Sequence, residues 1–151
     1  MMNRRLALLS GIALAGALAI AGCASAPPPS KVDLVAALSS GGNNPRFAST
    51  GTGNLKADYD PTTRTLNWEV TYTGLSGPAV AAHFHGPSVG GANAPVVIDI
   101  GGKGLASPMK GTAQLSEAQA ADLTTGKYYV NVHTKAAPGG EIRGTVVRAP
   151  K

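Results

Sequence analysis

Three histidines carry the chemistry that this sequence can offer, and two of them stand one residue apart in Ala81-Ala82-His83-Phe84-His85-Gly86-Pro87. In an extended strand, side chains alternate between faces, so His83 and His85 project from one face and Ala82 and Phe84 from the other. Two imidazoles on one face, a single pleat repeat apart, are placed to share a metal ion. The third, in Tyr129-Val130-Asn131-Val132-His133-Thr134, falls in a second strand-like run that sends its valines one way and Asn131 and His133 the other. Three nitrogen ligands suit copper or zinc. The same residues also fit a bland reading, a hydrogen-bonded polar cluster that joins two strands.

The last strand-like segment adds polar groups to this face. A period of two sets Ile142, Gly144 and Val146 against Glu141, Arg143 and Thr145. A hairpin through Ala137-Pro138-Gly139-Gly140 then gathers Asn131, His133, Glu141 and Arg143, with Asn131, Glu141 and Arg143 positioned to orient imidazoles around a metal. The alternative is a Glu141 to Arg143 ion pair beside hydrogen-bonded histidines. Met109 and Asp99 are further candidate ligands. With cysteine unavailable to the domain, a zinc-finger type of structural site is excluded. Hydrolytic chemistry lacks its parts, because the serines sit in glycine-rich or alanine-rich loops and no carboxylates are paired at an informative spacing. A binding module, not an enzyme, is the expectation.

The segments that must position these residues are short. Clusters of Gly, Pro and Asn recur about every ten residues, and the stretches between them alternate or are β-branched. Strands are predicted over 32–38, 53–59, 65–73, 80–85, 95–100, 109–115, 127–134 and 141–147, an all-β sandwich or barrel of about eight strands. Asp60-Pro61-Thr62-Thr63 reads as a hairpin turn, and Leu66, Trp68, Val70 and Tyr72 as a core-facing row. One short helix interrupts the strands. Ser116 and Gln119 fit a capping box, and Thr125-Gly126 supplies the stop.

Residues 1–22 belong to targeting, not to the fold: Arg4 and Arg5 precede an apolar run too short for a membrane span. That run ends in Ile20-Ala21-Gly22-Cys23, which resembles the lipobox of bacterial lipoproteins, where the cysteine receives lipid. The resemblance implies a protein exported and held to the membrane through lipid on Cys23, and Ala24 after it is the pattern sent to the outer membrane. More than one acyl chain gives a stable anchor without a transmembrane helix. Residues 23–31, with Pro27-Pro28-Pro29, read as a stiff tether, and 32–148 as one domain. Without residues 1–22 the chain keeps 11 basic against 8 acidic residues, a charge of +3 instead of +5. The basic residues stand singly, so no nucleic-acid surface is expected; a protein partner in the envelope is left open.

Several segments together resemble the CHRD family, the domain named from chordin and found in many bacterial exported proteins. They are Ala82-His83-Phe84-His85-Gly86-Pro87, Ala94-Pro95-Val96-Val97, Leu115-Ser116, the run Gly126-Lys127-Tyr128-Tyr129-Val130-Asn131-Val132-His133-Thr134, and Pro138-Gly139-Gly140-Glu141-Ile142-Arg143-Gly144. Leu38-Ser39 and Asn43-Asn44-Pro45 are similar to its opening segment, so the likeness covers about 32–147; Thr145 departs from the polar residue that often follows Arg-Gly. The resemblance implies an immunoglobulin-like, Greek-key fold in a secreted or surface-attached module, and it transfers no activity. His83-Phe84-His85 is also locally similar to the ligand strand of copper/zinc superoxide dismutase. A metal-dependent redox enzyme is therefore a third reading, weakened by the lack of that family's other ligands and cysteines.

Overall fold

The computed structural model describes residues 30–42 and 46–150. The predicted targeting segment, Cys23, most of the predicted tether and Asn43-Asn44-Pro45 lie outside the described residues.

Among the described residues, nine strands form one antiparallel sheet: β1 (Val32–Ser39), β2 (Thr52–Asp60), β3 (Thr65–Thr73), β4 (Ala79–His85), β5 (Val96–Asp99), β6 (Met109–Gln114), β7 (Tyr129–Thr134), β8 (Ile142–Thr145) and β9 (Val147–Arg148). Their order is β5-β4-β7-β8-β1-β2-β3-β6, with β9 also paired to β1. The sheet curls on itself. Trp68 of β3 meets Phe84 of β4 edge to face, ring centroids 5.5 Å apart, although four strands separate β3 from β4 in the pairing order. The 3-10 turn Gly101–Lys103 after β5 packs near β6, so the two edge strands almost close a barrel.

Alternation drives this curl. Leu34, Ala36 and Leu38 of β1, Leu55 of β2, Leu66, Trp68 and Val70 of β3, Ala82 and Phe84 of β4, and Val130 and Val132 of β7 all bury toward one interior. Each large side chain so removed from water contributes about 1.5–3 kcal/mol. The β2–β3 hairpin is held by Asp60, whose Oδ1 accepts from the amides of Thr62 at 2.8 Å and Thr63 at 3.3 Å. This is the local bonding that makes Asp a turn residue.

The predicted single last strand is two. Val146 turns inward and its amide donates to the Tyr128 carbonyl, after which β9 pairs with β1. The helix, α1 (Glu117–Thr124), starts as its sequence predicts: the Ser116 hydroxyl accepts from the Gln119 amide, and the Gln119 side chain accepts from the Ser116 amide. Ala120 and Leu123 are its buried residues, and Gly126 ends it with φ of 79°.

Gly111 on β6 makes room for Trp68. A Cβ there would stand 2.4 Å from Trp68 Cζ2 and 2.7 Å from Cε2, and the indole it would push is packed edge to face on Phe84. Gly111→Ala is therefore expected to destabilise the domain by about 2 kcal/mol, as overpacking of a filled core does. Denaturant unfolding followed by the emission of the single tryptophan measures this; an unchanged midpoint would show that the ring has room to move.

Candidate metal centre

Strand register sets the site. On β4 and β7, Ala81 faces His133, His83 faces Asn131 and His85 faces Tyr129; on β8, Arg143 faces Asn131 and Thr145 faces Tyr129. On the other side of β4, Asp99 of β5 faces His83. Side chains of directly paired residues share a face. The face opposite Ala82, Phe84, Val130 and Val132 thus gathers three histidines, Asn131, Tyr129 and Arg143. Most of it is shielded from water: His85, Asn131, His133 and Arg143 are buried, whereas His83 is half-buried.

The histidines converge. His83 Nδ1 lies 3.2 Å from His133 Nε2, and one ring nitrogen from each histidine lies within 4.8 Å of the others. Three points so spaced share a centre no more than about 2.8 Å from each, the longest separation divided by √3. Ligand bonds of about 2.0 Å need a further contraction of less than 1 Å. The closest pair is already set for it: nitrogens 3.2 Å apart, each about 2.0 Å from an ion, subtend about 106°, close to a tetrahedral angle.

His133 Nδ1 is 2.8 Å from the Pro138 carbonyl. A carbonyl only accepts, so Nδ1 carries the proton, and in the neutral ring Nε2 presents its lone pair toward His83. Burial pushes both histidines below the ordinary imidazole pKa. For His83, His85 adds to the burial and Asp99 opposes it; for His133 the Pro138 bond opposes it, while His83 and His85 add. Both are neutral at pH 7, the form that binds metal.

His85 is held by a stack. Its ring lies 4.8 Å from that of Tyr129 and within 3° of parallel, and the Arg143 guanidinium sits 3.4 Å from the centre of the Tyr129 ring on which it rests. Arg143 donates to Asn93 Oδ1 at 3.0 Å and to the carbonyls of Ala92 at 3.0 Å and Gly91 at 3.2 Å. This pins the 86–95 loop against the face. The loop in turn offers the Ala94 carbonyl to His85 Nδ1 at 2.8 Å, and Asn131 Oδ1 stands 3.1 Å from His85 Nε2.

Of the predicted orienting residues, Asn131 contacts a histidine and Arg143 acts through Tyr129 and the loop. Glu141 is placed differently. It precedes β8, and its fully buried carboxylate accepts from the hydroxyls of Ser49, Ser76 and Thr134 and from the Ser76 amide, all at 2.6 Å. Thr134 alternates with His133, so the carboxylate points away from the histidine face. Glu141 thus bonds to Ser49, Ser76 and Thr134, and Arg143 to the 91–93 segment, in place of the expected ion pair between them. Asp99 shares the face of His83 but lies outside the tight cluster, with Oδ1 accepting from the Gly101 amide at 2.8 Å. Met109 is buried in the apolar core. Cys23 lies outside the described residues. Sequence reasoning missed Tyr129 and the two carbonyls that hold the rings; the aromatic residue at the polar-face position of β7 was the available signal.

A family model described as CHRD domain matches residues 34–146, which is 113 of the 151 residues. No curated protein and no solved structure matches the chain.

Proposed function

This chain belongs to the CHRD domain family, and we propose that it is a binding module for a transition-metal ion, copper or zinc, taken by His83, His85 and His133. The observation that carries this reading is the 3.2 Å approach of His83 Nδ1 to His133 Nε2, with the far nitrogen of His133 committed to Pro138. A neutral imidazole anchored through one nitrogen aims the other as a ligand, the arrangement common in metal sites. The lipobox-like Ile20-Ala21-Gly22-Cys23 supports a lipid anchor on Cys23 that holds the module to the bacterial envelope, at the outer membrane by the Ala24 pattern. We read it as binding without catalysis.

A second reading draws on His85, both of whose nitrogens face protein groups. There the three rings are a polar cluster that fastens β4 to β7 and the loops over them, and the module serves the envelope as a structural or protein-interaction domain.

Titration of the protein with Cu(I), Cu(II) and Zn(II) separates the two. The metal reading expects one ion per chain and a loss of about 100-fold or more for His83→Ala or His133→Ala, beyond what losing a residue that merely orients a ligand costs. If no ion binds, or binding persists in both variants while they lose stability, the histidines are architectural.

A further inference from the structure

His85 differs from its two partners in that neither of its nitrogens points at another histidine within bonding distance. Nδ1 meets the Ala94 carbonyl at 2.8 Å, and Nε2 meets the carboxamide of Asn131 at 3.1 Å. The carbonyl obliges Nδ1 to carry a proton, so a neutral ring has its lone pair on Nε2, facing Asn131. Turned by a half-rotation of its amide, Asn131 donates N–H to that lone pair; with its oxygen inward, it accepts from a protonated Nε2. Either way the nitrogen that a metal would take is engaged.

The two bonds differ in how they can yield. The Ala94 carbonyl is main chain, in a loop that Arg143 fastens through Gly91, Ala92 and Asn93, and Arg143 rests on the Tyr129 ring stacked on His85. Moving it disturbs the whole stack. Asn131 is a single buried side chain on β7, opposite His83, and to yield it needs only a turn about its own side-chain bonds, with no shift of main chain. We infer that Asn131 competes with the metal for His85 Nε2, so that the ion enters on His83 and His133 and gains its third nitrogen only by displacing the Asn131 amide. Asn131 thereby sets the affinity of the site and its discrimination between ions. An ion satisfied by two nitrogens is unaffected by Asn131, whereas zinc, which takes four ligands in nearly all its structural sites, must break the His85–Asn131 bond. This inference rests on the metal reading above.

Zinc titration of the full chain tests it, with Asn131→Ala and the shape-preserving Asn131→Leu, each alone and combined with His85→Ala, and with circular dichroism to verify folding. Either Asn131 variant should bind Zn(II) about five- to tenfold more tightly than the unsubstituted protein. His85→Ala should cost little in the unsubstituted protein, less than the cost of His83→Ala, and markedly more once Asn131 is removed. That first comparison requires no Asn131 variant to fold. Zinc binding that is unchanged or weakened in folded Asn131 variants, or a His85→Ala cost equal to that of His83→Ala in the unsubstituted protein, overturns the role of Asn131 and leaves the metal site standing. Absence of zinc binding in all of these proteins overturns both.

Discussion

Glu141→Ala is expected to cost about 3 kcal/mol of folding stability. The carboxylate is fully buried and accepts four hydrogen bonds of 2.6 Å from Ser49, Ser76 and Thr134. It joins the loop before β2, the loop after β3 and the end of β7. Removing it leaves the buried Thr134 hydroxyl and the half-buried Ser49 hydroxyl without their acceptor, while the exposed Ser76 can turn to water; a buried donor left unmet costs about 1–3 kcal/mol. With total stabilities of about 5–15 kcal/mol, that is a large share. Denaturant midpoints measure it, and a loss under 1 kcal/mol would mean the hydroxyls find other partners.

The same carboxylate predicts how stability responds to acid. Burial alone would raise its pKa, but the bonds from Ser49, Ser76 and Thr134 outweigh burial and hold it at about 2, against 4.5 for the free group. A group with a depressed folded-state pKa contributes stability fully above its unfolded pKa and loses it as pH falls through the folded one. About 3 kcal/mol is therefore present at neutral pH and disappears between about pH 4.5 and pH 2. Glu141→Gln should flatten stability across that window while leaving the response above pH 5 unchanged.

Glu141 also shows where sequence reasoning reaches its limit. The strands were legible because Gly and Pro punctuate them and because core residues alternate. The helix was legible because Ser116 and Gln119 cap each other locally. The histidine face was legible for the same reason as the core, since Ala82 and Phe84 can only face inward if His83 and His85 face outward. Glu141 defeats the rule because alternation holds only inside a strand. Gly140, at φ of 115°, turns the chain just before it, and β8 begins at Ile142, so the period of two does not extend back to Glu141. Its partners, Ser49 and Ser76, lie 92 and 65 residues away and look like ordinary loop serines in the sequence. Likewise nothing local announces that Arg143 would lie on Tyr129 and bind three loop residues. That arrangement follows from the β7–β8 register and from the path of a loop with no pattern of its own. The split between β8 and β9 is invisible for a related reason: Val146 is a good strand residue whose pairing partner is decided by distant strands.

Saturation with the bound metal should raise the midpoint of thermal unfolding by about 12–20 °C. A ligand at a free concentration 1,000 times its dissociation constant, bound only by the folded state, adds about 4 kcal/mol; for a domain of this size each kcal/mol is worth about 3–5 °C. Calorimetry with and without Zn(II) or Cu(II) reads the shift, and His133→Ala should abolish it because that substitution removes the anchored ligand nitrogen. The shift depends on pH in a direction set by the burial of His83 and His133. Their folded-state pKa values lie below the ordinary 6.5, so the folded protein sheds these protons more readily than the unfolded chain. Stability without metal therefore rises as pH climbs from the folded-state values to about 6.5, and levels off above. At pH 7 and above both rings are already neutral, no proton need leave them, and the metal-induced shift is at its full size. Below the folded-state values protons occupy the same nitrogens and the shift should vanish. Equal midpoints with and without metal at pH 7.5 would leave the histidines only their structural part, whereas a shift that persists unchanged at pH 4 would place the ion on carboxylates elsewhere in the domain.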